Sequence, residues 1–267
     1  VGLYCQVLNS DPNHLDALNF CGAAFFQSGE NTQALEMLRK AVRLAPDYAE
    51  AHNNLGKVLH ESGNSEESLV CFERALELKP DYLEAKNNLG LALQDLGRAQ
   101  EAAETYRSIL SAQPEIPEVM VNLSRALLGM KAYDEAEATI KRVIEIWPNV
   151  VAYDNLAVIH MATGRYDLAE VVCRQAMEKD PDYAEAHNNL GICLTRLGRD
   201  EEAAKAHLRA LELAPEDIKL HYNYAQSHVF TTDDQALKGL EELMDYEGVS
   251  DPQRGMLLFA LGKAHDE

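Results

Sequence analysis

The chain has no run of about 18 apolar residues, so it offers no helical membrane span. No leader is legible at its beginning, which opens at Val1, and the cytoplasm is the expected compartment. Basic residues are scarce. Lys and Arg number 24 against 44 Asp and Glu, a formal net charge of −20. That field repels phosphate backbones, which argues against nucleic acid and favours a protein or peptide partner, a basic one above all. The five cysteines (Cys5, Cys21, Cys71, Cys173, Cys193) include no CxxC pair, so neither a zinc ribbon nor a dithiol redox motif is expected. Reduced thiols buried in a core fit them better. Catalytic signatures are missing as well: there is no glycine-rich phosphate loop, no HExxH and no GxSxG. Of nine histidines, His221 and His228 lie two helical turns apart, but no third ligand accompanies them. The expectation is a chain that is not an enzyme, with no cofactor and no metal.

What the chain does have is a repeat. Pro12, Pro46, Pro80, Pro114, Pro148, Pro181 and Pro215 recur every 34 residues, with one step of 33 between Pro148 and Pro181. Self-similarity at this period means stacked units, none of which buries its apolar face alone. With each proline as position 32, units begin at Leu15, Ala49, Leu83, Pro117, Val150 and Ala184, and a degenerate one at Ile218. Position 8 is small (Gly22, Gly56, Gly90, Ser124, Ala157, Gly191), and so is position 20. Position 24 is mostly bulky (Leu38, Phe72, Tyr106, Ile140, then Cys173 and His207). Helical periodicity appears twice per unit and breaks at position 15, where Gly29, Gly63, Gly97, Gly164 and Gly198 stand and Lys131 is the exception. Each unit is therefore expected to be an antiparallel helix pair, A then B.

These positions resemble the tetratricopeptide repeat (TPR) family. The resemblance implies an all-α, right-handed superhelical solenoid of antiparallel helix pairs, with helix A lining a concave groove. Units are expected at 15–48, 49–82, 83–116, 117–149, 150–183 and 184–217, with a degenerate seventh at 218–251. Residues 1–14 read as part of a helix B, and 252–267 as the start of a further helix A. Incomplete ends of this kind leave unpaired apolar faces, and end-to-end self-association is one way to cover them.

Position 6 carries a column of asparagine: Asn54, Asn88, Asn122, Asn155, Asn189 and Asn223, with Phe20 departing in the first unit. Position 5 adds Asn53, Asn87 and Asn188. Asn costs about 0.5 kcal/mol against Ala inside a helix, so a repeated Asn needs a reason. One reading is a brace, each side chain bonding a neighbouring helix. Another is recognition, because a carboxamide donates and accepts at once and suits an extended peptide backbone. The column resembles that of the TPR arm of protein O-GlcNAc transferase, and this implies main-chain recognition by the six position 6 residues. Position 2 forms an acidic row (Asp16, Glu50, Glu84, Glu118, Glu185), interrupted by Val151 and Lys219. These carboxylates suit the first turn of a helix, and they offer a preference for basic peptides. The carboxylate clamp of chaperone-tail binders is absent, since positions 5 and 9 lack its Lys and Asn.

The last fifty or so residues include Phe230 to Asp234, a helical spacing from Gln235 to Tyr246 and a turn from Gly248 to Pro252. This order resembles the junction of bacterial proteins that fuse a TPR array to a sulfotransferase. Three functions stay open: a peptide-binding module, the substrate-recruiting arm of a sulfotransferase or glycosyltransferase, and an assembly scaffold.

Overall fold

A computed structural model describes residues 2–227, 235–244 and 250–266. Among these residues there are sixteen helices and no strand. After α1 (Gly2–Ser10), helices pair in sequence: α2 (Leu15–Gln27) with α3 (Asn31–Leu44), α4 (Ala49–Glu61) with α5 (Ser65–Leu78), and α6 (Leu83–Asp95) with α7 (Ala99–Ala112). Next come α8 (Pro117–Gly129) and α9 (Tyr133–Ile146), α10 (Val150–Ala162) and α11 (Tyr166–Lys179), and α12 (Ala184–Arg196) and α13 (Asp200–Leu213). The chain continues with α14 (Ile218–Ser227), α15 (Gln235–Met244) and α16 (Asp251–Asp266). The stretch from Phe230 to Asp234, the turn at Gly248 and the ring of His228 lie outside the described residues.

The A-to-B turn ends helix A in the same way each time. Gly63 N–H donates to the His60 carbonyl (2.9 Å) and Asn64 N–H to that of Leu59 (2.8 Å), with Gly63 at φ 78°. Lys131 takes the same left-handed conformation, φ 60°, although a Cβ makes it unfavourable. The turn's two hydrogen bonds are kept: Lys131 N–H donates to the Leu128 carbonyl (2.9 Å) and Ala132 N–H to that of Leu127 (2.9 Å).

Within each pair a small residue of helix A receives a large one of helix B. A Cβ added to Gly22 would lie 2.6 Å from Leu38 Cγ, one on Gly56 2.5 Å from Phe72 Cε1, and one on Gly90 2.5 Å from Tyr106 Cζ. Leu38, Phe72 and Tyr106 are fully buried in these slots. In the fourth repeat Ser124 Oγ instead donates to the Ala136 carbonyl (3.0 Å). The four cysteines whose side chains are described (Cys21, Cys71, Cys173, Cys193) are buried and form no disulfide with one another.

The sixth repeat fills its slot with His207, whose ring lies over Gly191 with Nδ1 buried and unpartnered. Burial pushes this imidazole down to about 4, so it is neutral in the folded protein. The unfolded chain takes up that proton near the ordinary value of about 6.5. The stability at stake is whole above about pH 6.5 and is lost as pH falls towards about 4, on the order of 3 kcal/mol at most. Burial moves His160 and His221 in the same direction. We expect the urea midpoint to fall between about pH 7 and about pH 4.5, and to fall less in His207→Leu, where one such proton site is gone.

The chain divides into two compact units, 1–136 and 137–267. In the first, successive A helices pack on one another, α2 on α4, α4 on α6 and α6 on α8. In the second, α10 packs on α12 and α12 on α14. Successive B helices of the second unit are tied by half-buried ion pairs. Arg165 reaches Glu137 (2.7 Å) and Arg199 reaches Glu170 (2.7 Å). Bonds from Lys141 and Arg165 hold the Glu137 carboxyl at about 2. Toward its C-terminal end a cluster of Leu211, Ile218, Tyr224, Leu240 and Leu257 joins α13 to α16.

Candidate functional site: the asparagine ladder

Positions 5 and 6 are adjacent on helix A, so one points back toward the preceding repeat's partner and the other forward. In the first unit each of the three position 6 carboxamides donates to position 5 of the repeat before it. Asn54 Nδ2 lies 2.8 Å from Asn19 Oδ1, Asn88 Nδ2 3.0 Å from Asn53 Oδ1, and Asn122 Nδ2 3.1 Å from Asn87 Oδ1. The second unit repeats the geometry: Asn189 donates to Asp154 Oδ1 (2.8 Å) and Asn223 to Asn188 Oδ1 (2.8 Å).

The inner residues continue the chain into the turn entering the next helix A. Asn19 Nδ2 donates to the Tyr48 hydroxyl (3.4 Å), which donates to Asp16 (2.8 Å), and Asn53 Nδ2 donates to the Tyr82 hydroxyl (3.3 Å). Burial, and then the bond to Asp16, push the Tyr48 hydroxyl up to about 12. Burial and the charges of Glu84 and Glu50 do the same for Tyr82. Both stay protonated as donors. Asn19 escaped the sequence reading because Phe20 breaks the position 6 column beside it. The available signal was the Asn–Tyr pairing of positions 5 and 34.

The two columns therefore differ. Asn53 and Asn188, expected on the ligand face, are buried inside the fold, where Asn53 accepts from Asn88 and donates to Tyr82 and Asn188 accepts from Asn223; Asn189 of the outer column is buried as well. Asn87 accepts from Asn122 in the same way and is half-buried. The outer Asn54, Asn88 and Asn122 are half-buried, and each spends one N–H on its neighbour. Among the described residues, their carbonyl oxygens and remaining N–H groups meet no other protein partner.

Asn155 stands apart from the column. Its amide donates to the carbonyl of Val151 on its own helix (2.8 Å). In the sequence, position 5 of the preceding repeat is Val121, which has no acceptor in its side chain. The 33-residue step has a local consequence too. It removes position 34, and Asn149 becomes the cap of α10, its Oδ1 accepting from Ala152 N (3.0 Å). Tyr48, Tyr82 and Tyr183, which precede the equivalent helices, make no such side-chain cap.

The acidic row is partly neutralised. Glu50 pairs with Lys79 (3.1 Å) and Glu84 with Lys57 (3.0 Å), while Glu118 and Glu185 stay without a salt bridge among the described residues. The position 4 histidines are turn braces: His52, His187 and His221 place Nε2 at 3.1, 2.7 and 2.8 Å from the carbonyls of Pro46, Pro181 and Pro215. Among the described residues no group of three His, Cys, Asp or Glu is placed to hold a metal, and no helix is long and apolar enough to cross a membrane.

Stacked helix pairs joined by glycine turns, with a polar column repeated along helix A, define an all-helical repeat protein. Family models described as tetratricopeptide repeat match residues 47–115 and 149–216, and 93–157, while one described as TPR repeat matches 22–63. The chain belongs to the tetratricopeptide repeat family. The human protein O-mannosyl-transferase TMTC3 is 35% identical over 78 residues, which is 29% of this chain and 8% of that protein. Among solved structures, a thermophilic TPR protein of Thermus thermophilus, TTC0263, is 25% identical (TM-score 0.60; 67% of this chain, 98% of that one). A tetratricopeptide repeat protein of Parabacteroides merdae (17%, TM-score 0.72; 94% and 98%) and yeast Tom70 (18%, TM-score 0.73; 99% and 58%) share the fold.

Proposed function

We propose that the chain is a non-catalytic module that holds an extended polypeptide by its main chain along the helix A face. One observation carries this reading. Asn54, Asn88 and Asn122 are each fixed by a bond to the adjacent repeat, yet keep an oxygen and an N–H for a ligand. A side chain already held in place loses little freedom on binding, and a carboxamide satisfies a peptide group whatever side chain that residue bears. In the second unit the half-buried Asn223 repeats the arrangement, while Asn189 makes the same bond from a buried position. Preference for basic peptides falls to Glu118 and Glu185, whose charges no salt bridge among the described residues offsets.

The test is the triple substitution Asn54→Ala, Asn88→Ala and Asn122→Ala, assayed on an array of synthetic peptides and then by titration with the strongest binder. We expect affinity to fall tenfold or more, about 1.4 kcal/mol or above, with the inner column Asn19, Asn53 and Asn87 keeping the repeats folded. Unchanged affinity would leave the ladder as a brace only. A second reading, the recruiting arm of a transferase, draws on the stretch shared with the O-mannosyl-transferase. It predicts that the full-length parent chain loses transfer to protein substrates, but not to short acceptors, when residues 15–217 are deleted.

A further inference from the structure

We propose that helix A of the fifth repeat, α10, together with Trp147, forms a subsite for one bulky apolar side chain of the bound polypeptide. This rests on the peptide-binding reading above and adds to it the residue class that the ligand carries. Positions 2, 6, 9 and 13 lie along one helical face. In α4 they are Glu50, Asn54, Lys57 and Glu61; in α6 Glu84, Asn88, Leu91 and Asp95; in α12 Glu185, Asn189, Ile192 and Arg196. The first and fourth repeats also place a charge there, with Asp16, and with Glu118 and Arg125. In α10 the same face reads Val151, Asn155, Val158 and Ala162, with no charge at all.

That face is not sealed inside the fold. Val151 is 41% exposed, Ala162 is exposed, and Val158 is half-buried. Trp147, the sole tryptophan of the chain, is 44% exposed four residues before Val151. The turn between them is pinned from both sides by Asn149, whose Nδ2 donates to the Trp147 carbonyl (3.0 Å) and whose Oδ1 accepts from Ala152 N (3.0 Å). An apolar strip held rigidly at the surface is costly to leave wet, at about 25 cal/mol per Å². Asp154, next to Asn155 on α10, is the acceptor of Asn189, so the strip adjoins the second unit's rungs. A polypeptide held on the half-buried Asn223 and running past the buried Asn189 reaches a stretch where the acidic row has lapsed. An apolar side chain suits that stretch and a charged one does not.

The experiment uses an array of random-sequence synthetic peptides probed with the intact chain and with Val151→Glu. The substitution restores the carboxylate that other repeats carry at this exposed first-turn position, so circular dichroism should be unchanged. We expect the bound peptides to be enriched in Leu, Ile, Met or Phe at one register, and the best of them to lose tenfold or more in affinity for Val151→Glu. Its titration should also shift Trp147 emission to the blue in the unsubstituted chain. Binding without apolar enrichment, or enrichment that survives Val151→Glu, would overturn the subsite and leave main-chain recognition standing. Binding of no peptide would overturn both.

Discussion

Gly90→Ala is expected to open the third repeat. The added Cβ would lie 2.5 Å from Cε1 and Cζ of Tyr106 and 2.9 Å from its hydroxyl. The ring has nowhere to go: it is fully buried, and its hydroxyl donates to Gln94 Oε1 at 2.7 Å. Overpacking of a close-packed core costs about 1–3 kcal/mol, and loss of a buried hydroxyl's bond adds about 1 kcal/mol or more. Because the units of a repeat array interact with nearest neighbours only, amide exchange should accelerate first in α6 and α7, ahead of the C-terminal repeats. The fifth repeat shows what relieves the crowding. It carries Ala157 with Cys173, both buried. Gly90→Ala combined with Tyr106→Cys should therefore regain part of the loss, although a smaller side chain leaves a void. A urea midpoint for Gly90→Ala equal to that of the parent would refute the slot.

Asn53→Ala should cost about 2 kcal/mol, because it removes a fully buried group and strands two partners at once. Asn88 loses its acceptor at 3.0 Å, and the Tyr82 hydroxyl loses a donor at 3.3 Å. Asn54→Ala, one position on, removes a single bond from a half-buried side chain and should cost about 1 kcal/mol or less. Asn53→Asp should lose at least as much as Asn53→Ala at neutral pH. It keeps an oxygen for Asn88, as the partly exposed Asp154 does for Asn189, but it places a carboxylate at a fully buried position close to Glu50 and Glu84. The order of the three urea midpoints is the measurement. Equal losses at the two positions would erase the distinction between an inner brace and an outer face.

Much of the fold was legible without coordinates. The proline interval set the unit, the small residue at position 8 announced the close crossing, and the bulky one at position 24 named what enters it. These follow from periodicity and volume, which are properties of a single chain read in order. The candidate site was less legible. The column at position 6 was plain, and so was its chemistry, but its partner was not. A carboxamide that braces and one that recognises look the same in a sequence, and the partner lies 35 residues away, in the preceding repeat. Phe20 hides Asn19 beside it, and Asn155 stands in the position 6 column while its amide turns back to its own helix. The acidic row likewise concealed its ion pairs, since Lys57 and Lys79 reach Glu84 and Glu50 across 27 and 29 residues.

The sequence by itself determined the all-α repeat, the length of its unit, the slot between helices A and B, and the turn that joins them. Each is a matter of steric size or of backbone torsion within about 34 residues, and Lys131 shows that the turn survives where its glycine is lost. Only the tertiary structure decided which asparagine faces inward. That choice depends on which hydrogen-bond partner the next repeat brings within about 3 Å, a distance set by the stacking of helices and by no local preference of the residue. The same stacking pairs Glu50 and Glu84, seats His207 with an unpartnered nitrogen over Gly191, and leaves Val151 and Trp147 exposed to solvent.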